Sequence, residues 1–299
     1  MPGLQHVLRH AVNARRARKQ VRLSRSLAGT VVIFLFLAVI GAFMVLPILY
    51  SVLQSIKPLD EIFAYPPRFF VRHPTMDNFR QVFQLANNLS VPFARYATNS
   101  VFVSVVGTAF YVLIASLTAY PLAKAKFPGS VLISNIIVWT LLFRPEVTGI
   151  PQYFVIAKLG MVDTVFAILF PAMASTMGVF LMKQFIITSI PDATLEAARI
   201  DGAGEMRIYW RIVMPSIRPA WLTLIIFTFQ SMWNATGVQY VYSEPLKMLP
   251  SVLQTITAGG IARAGAGSAV AVVLMIPPIL IFILSQSSVM ETMSHSGLK

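Results

Sequence analysis

Apolar residues run along this chain in long blocks separated by short polar stretches, with little of the alternation of a half-buried strand or the stripe of a surface helix. The blocks cover 27–53, 97–121, 131–142, 165–182, 220–240 and 268–290. A hydrocarbon core of roughly 30 Å takes about 20 apolar residues in a helix, so the pattern predicts an all-α polytopic membrane protein with six transmembrane helices. The third block is short and meets Arg144, Pro145, Gly149 and Pro151 just past its end. Backbone freed by such residues at membrane depth has to face protein or a watery cavity. Residues 143–154 are therefore a candidate outward rim of a pathway, with an ordinary interfacial loop as the plainer alternative. Pro277 and Pro278 predict a kink in the last block.

The polar stretches are not equivalent. Residues 57–95 are too long and too proline-rich for a tight turn and read as an external subdomain with a short helix near Met76–Leu85. Residues 189–219, SIPDATLEAARIDGAGEMRIYWRIVMPSIRP, pack charges of both signs between two apolar blocks. Pro191 stands near the start of one short helix, Pro215 near the end of another, and Gly202 between them. Ala197, Ala198 and Ala203 keep one surface thin enough for another backbone to come close. A loop that only joined two spans needs none of this, so the stretch reads as a docking element.

Composition sharpens the class: 56% hydrophobic and 12% charged fits neither a soluble domain nor a disordered chain. Cysteine is absent, which excludes disulfides and thiolate chemistry. The net charge of +13 is concentrated in residues 1–26, where Arg9, Arg15, Arg16, Arg18, Lys19, Arg22 and Arg25 meet no acid. A basic arm before a first span holds that end in the cytoplasm, and six spans return the C-terminus to the same side. Leu4, Val7, Leu8 and Ala11 share a helical face that suits anionic lipid; nucleic acid is not implied. The arm and its apolar core are both too long for a cleaved signal peptide. The domain organisation is thus a basic arm at 1–26 and a transmembrane domain at 27–299.

The chemistry is informative by what it lacks. All eleven acidic residues and all four histidines fall in predicted loops or ends. An ion-coupled carrier or intramembrane hydrolase places ionisable groups at membrane depth, and no GxxxxGK[ST] phosphate loop is present. The chain is expected to be no enzyme and to bind no metal or cofactor, so energy for uphill work has to come from a partner.

Glu196-Ala197-Ala198, then Asp201-Gly202-Ala203, with Ile212-Val213-Met214-Pro215 beginning nine residues after Ala203, resembles the EAA loop of ABC importer permeases, Met214 replacing the usual leucine. TNSVFVSVV with LTAYPLAKAKFPG, and IPQYFVIAKLGMVDT, resemble segments of the carbohydrate-uptake branch, and Trp233-Asn234 is similar to a Trp-Asn-Asp sequence there with Ala235 in place of the acid. The tail with Gln286, Glu291, Gly297 and Lys299 follows the branch, and ETMSHSG is nearest a subgroup for acidic polysaccharides such as alginate. The resemblance covers almost all of 95–299 and is to the shorter permease of maltose-type importers. It implies the type I importer fold in a bacterial inner membrane, two ATPase subunits holding ATP and Mg, a paralogous permease, an extracytoplasmic solute-binding protein and a carbohydrate substrate. It also implies that Glu196, Ala197, Ala198, Asp201, Gly202 and Ala203 form the coupling site. For the substrate path the polar and aromatic candidates are Arg144, Gln152, Tyr153, Gln230, Trp233, Asn234, Gln239 and Tyr240. A non-sugar solute or a membrane scaffold role remain as alternatives.

Overall fold

The structure, a computed structural model, describes residues 27–87, 91–174, 176–258, 260 and 263–296. The basic arm, Gly259, Ile261, Ala262, the Gly297–Lys299 end and the side chains of Glu146 and Glu291 lie outside the described residues. The elements are helical throughout: α1 Leu27–Ser55, α2 Leu59–Ile62, α3 Asp77–Asn87, α4 Phe93–Lys124, α5 Ser130–Thr140, α6 Pro145–Lys158, α7 Phe166–Met173 and α8 Thr176–Ser189. There follow α9 Asp192–Ile200, α10 Glu205–Ile208, a π-helical turn at Tyr209–Val213, α11 Met214–Ser216, α12 Arg218–Trp233, α13 Leu249–Thr257 and α14 Ala264–Ser296. Two compact units divide at Tyr50. The first, in its described residues, is α1 as far as Tyr50, a charge-free run whose backbone groups find partners in hydrocarbon only inside a helix.

The second unit is strung along α4. Tyr96 near its start joins an apolar cluster with Val82, Trp233, Leu253 and Val270. Val103 joins a second with Ile156, Ile168, Tyr240 and Met248. Tyr111 to Leu122 join a third with Met182, Ile186, Leu195, Ile208 and Ile217. Small residues on α4, among them Ser100, Ser104, Gly107, Ala115 and Ala119, are buried and let neighbouring helices close in. The approach is reciprocal on α8, where a Cβ on Gly178 would stand 2.6 Å from the Tyr111 hydroxyl.

The polar segment after α1 is pinned from below. Lys57, 1% exposed, donates from Nζ to the Arg68 carbonyl at 2.6 Å, and the Asn78 amide donates to the carbonyls of Ser55 and Lys57. Glu61 accepts the amides of Arg72 and His73, which hold its carboxyl below the ordinary value. The helix expected near Met76–Leu85 runs over Asp77–Asn87.

Helix length and composition do not by themselves confirm six separate spans among the described residues. Among the described residues four helices are long and apolar enough to cross a membrane: Ala28–Ser55, Phe93–Lys124, Phe166–Ser189 and Ala264–Gln286. A fifth forms only if Glu205–Ser216 and Arg218–Trp233, bent by 77°, count as one broken span. The third block gives α5, whose 11 residues reach about 16 Å at ~1.5 Å per residue. Beyond it Pro145 starts α6 rather than breaking a helix, as a proline at the first turn does, and α6 absorbs Gly149 and Pro151. The fifth block stops at Trp233 instead of Tyr240. Gly237 turns the chain with φ 64° against Ile168, whose Cδ1 would lie 2.6 Å from any Cβ there. The last helix starts at Ala264 and runs through Pro277 and Pro278.

Candidate coupling loop and solute path

Pro191, extended and without an N–H, begins α9, and Asp192 in its first turn suits the positive end of the helix dipole. The helix stops in a Schellman turn: the Ala203 amide donates to the Ala198 carbonyl and the Gly202 amide to the Arg199 carbonyl, each at 3.0 Å. Gly202 makes this possible with φ 80°, and a Cβ there would meet nothing within 4 Å, so the demand is purely conformational. Gly202→Ala is expected to open the turn by roughly 1–2 kcal/mol, Gly202→Asn by less and Gly202→Val by more. Amide exchange at Ala203 reads the series, and equal effects would mean that the turn does not depend on positive φ.

One side chain of α9 is fully buried. Leu195, 1% exposed, is seated among Ile190, Ile208, Tyr209, Val213 and Ile217, with Ala198 and Ala203 half-buried against the same cluster. Glu196, Ala197 and Asp201 are exposed, and neither acid has an ion pair among the described residues. In the same loop Ile200 is 86%, Met206 62% and Trp210 52% exposed. Large apolar side chains held open next to unpaired acids are the composition of a contact surface. Pro215 stands near the end of the second helix of the loop, whose helical run Glu205–Ser216 stops just beyond it. It lies in α11, and the chain then bends at Ile217 into α12.

The loop is tied to α4 by residues the sequence reading did not single out. Lys124 Nζ donates to the Ile190 carbonyl and to Asp192 Oδ1, both at 2.6 Å, and that bond with Lys124 holds the Asp192 carboxyl below its ordinary value. Tyr120 donates to Glu205 Oε2 at 2.6 Å, and Arg199 Nε reaches Glu205 Oε1 at 2.7 Å across the Gly202 turn. Tyr209 and Ser116 share a buried hydroxyl bond of 2.6 Å. The signal was present in the sequence as polar residues every fourth position on an apolar helix.

The solute-path candidates divide. The rings of Tyr153 and Tyr240 stack with centroids 6.3 Å apart, Tyr240 is buried, and Gln152, next to Tyr153 in sequence, is half-buried. Gln230 and Asn234 are exposed on successive turns, the Asn234 amide donating to the Gln230 carbonyl at 2.9 Å. Gln239 is exposed, with its carbonyl taking the Tyr242 hydroxyl, and Arg144 is exposed at the start of α6. Trp233 is a correction. It is 4% exposed, stacked on Phe229, and its indole N–H donates to the Leu274 carbonyl at 2.9 Å, so it fastens α12 to α14. Lys57, at the start of the 57–95 segment, is likewise buried and satisfied within that segment. Among the described residues no three His, Asp or Glu side chains converge as metal ligands would.

Asp163 was also missed. It sits at φ 61°, and its carboxylate accepts the amides of Tyr242 and Ser243 and the Ser243 hydroxyl, clasping two segments about 80 residues apart. The Ser243 hydroxyl, with these amides, holds its pKa below the ordinary 3.8. With the folded value depressed, the clasp contributes fully above 3.8 and is lost as pH falls through the lowered value. Exchange of the Tyr242 and Ser243 amides is expected to stay slow down to that range and then rise, and Asp163→Asn to remove the transition.

Residues 90–293 match the model of a family described as the binding-protein-dependent transport system inner membrane component. The sn-glycerol-3-phosphate transport system permease protein UgpE of Yersinia enterocolitica is 30% identical over 265 residues, covering 83% of this chain and 90% of that protein. The polygalacturonan/rhamnogalacturonan transport system permease protein YtcP of Bacillus subtilis is 28% identical over 273 residues, covering 84% and 91%. A solved bacterial ABC transporter involved in import of the acidic polysaccharide alginate shares the fold, with a TM-score of 0.72 at 23% identity over 88% of this chain and 98% of that one. By the extent of these matches the chain belongs to the family of binding-protein-dependent transport system inner membrane components.

Proposed function

We propose that the chain is the membrane-spanning subunit of an ATP-driven importer of acidic carbohydrate, moved through residues 189–219 by separate ATPase subunits. The observation that carries this reading is α9: a thin, exposed helix with one buried anchor at Leu195 and a Glu196 with no ion pair among the described residues, in a loop where Ile200, Met206 and Trp210 are also exposed. Two ATPase subunits hold ATP and Mg. As they close, they draw this loop toward its counterpart on a paralogous permease and rock the two membrane halves between outward and inward openings. Both termini then lie in the cytoplasm, and an extracytoplasmic binding protein delivers the solute. Glu196 pairs with a basic ATPase side chain, and Ala197 with Ala198 allows the close approach.

The solutes named for the relatives, glycerol phosphate, polygalacturonan and alginate, are all anionic, which supports an acidic solute here. Arg68, Arg72 and Arg144 are exposed and would steer such a solute. UgpE's named solute favours a second reading, a small phosphorylated polyol. The complex reconstituted with its binding protein is expected to hydrolyse ATP faster with uronate oligosaccharides than with neutral ones. Stimulation by neutral sugars alone would overturn the acidic assignment, and stimulation by glycerol phosphate alone would select the second reading.

A further inference from the structure

Every fourth position of α4, except Val112, carries a polar or phenolic side chain along most of its length: Tyr96, Ser100, Ser104, Thr108, Ser116, Tyr120 and Lys124. Such a row winds slowly about a helix axis. At one end Ser116, Tyr120 and Lys124 each hold a different part of the coupling loop: Tyr209, Glu205, and Ile190 with Asp192. At the other end the Tyr96 hydroxyl donates to Glu244 at 3.2 Å and Ser100 Oγ accepts the Leu249 amide at 2.8 Å. Asn99 adds bonds to the carbonyls of Pro245 and Lys247. One continuous helix is therefore stapled to the coupling loop below and to the 244–249 segment above, with the small buried residues of its middle packed against α7, α8 and α12.

We infer that α4 is the rod that carries displacement of the coupling loop to the 244–249 segment on the opposite side, and that Tyr120 and Glu205 are its positioning residues at the driven end. The inference rests on the coupling role proposed above. The Arg199–Glu205 pair adds little stability. Arg199 and Glu205 are 43% and 58% exposed, and exposed ion pairs stabilise little. What they fix is direction: the Arg199 guanidinium spans the Gly202 turn onto Glu205, and Tyr120 fastens the same carboxylate to α4. Movement of either arm of the loop is thereby imposed on one helix.

The test uses the full chain in complex with its ATPase and binding protein. Tyr120→Phe and Glu205→Gln are expected to leave complex yield unchanged while lowering solute transported per ATP hydrolysed roughly twofold to thirtyfold, the range for losing one contact along a transmission route. Exchange at the Leu249 amide, at the far end of α4, is expected to respond to ATP in the wild type and to lose that response in Tyr120→Phe. Unchanged transport per ATP, or a loss of complex with transport per ATP retained, would reduce these contacts to local staples and overturn the inference. If instead no ATPase co-purifies with the wild-type chain, the coupling reading fails first and the rod fails with it.

Discussion

Replacing Glu196 by alanine is expected to weaken the ATPase complex by roughly 30-fold or more, the scale for removing one partner of a charge pair that association buries, and to abolish transport. Membrane insertion and the fold should be untouched, because Glu196 is exposed and has no ion pair among the described residues. Glu196→Gln should recover little, since the amide keeps the shape and loses the charge, and Glu196→Lys should be worse than alanine. Co-purification yield and transport in vesicles measure the series. Full transport by Glu196→Ala would remove this residue from the coupling site.

The second large effect is expected at Leu195, which seats α9. An aspartate there loses the leucine's packing, about 2–5 kcal/mol for so complete a truncation, and adds a buried carboxylate whose effective penalty is several kcal/mol more. The helix has no other fully buried side chain to compensate, so it should lift from the cluster around Ile208 and Ile217. Limited proteolysis is then expected to cut within 192–204 in Leu195→Asp and not in Leu195→Met, whose volume-neutral change costs less than about 1.5 kcal/mol. Protease resistance retained by the aspartate variant would show that α9 is held by its polar ties to Lys124 and Glu205 rather than by Leu195.

The membrane class was legible because long apolar blocks are a property of composition, and the stop after α9 was legible because a glycine between two short helical patterns has a narrow set of uses. Other features depend on partners far away in sequence. Asp163 looks like any loop acid until Tyr242 and Ser243 fold onto it, 79 and 80 residues later. An indole beside an amide in an apolar helix reads the same whether it faces a solute or a neighbour, and only the Leu274 carbonyl decides for Trp233. The 77° bend before α12 was hidden for a related reason. Pro215 marks a disturbance in the helix, but whether the chain ends there or turns is set by the packing of Ile217. The row on α4 was visible as spacing, yet its meaning required knowing that the loop at 190–209 returns to it.

The chain contains no cysteine, which allows a single one to be placed at will. The most direct test of the coupling site is a cysteine at Ala197, exposed on α9, carrying a short cross-linker in the complex with the ATPase. A cross-link to the ATPase subunit is expected at this position and at Ile200, and none from a cysteine at Phe70 in the segment between α2 and α3. An ATPase that co-purifies yet never cross-links to 197 or 200 would contradict the coupling site.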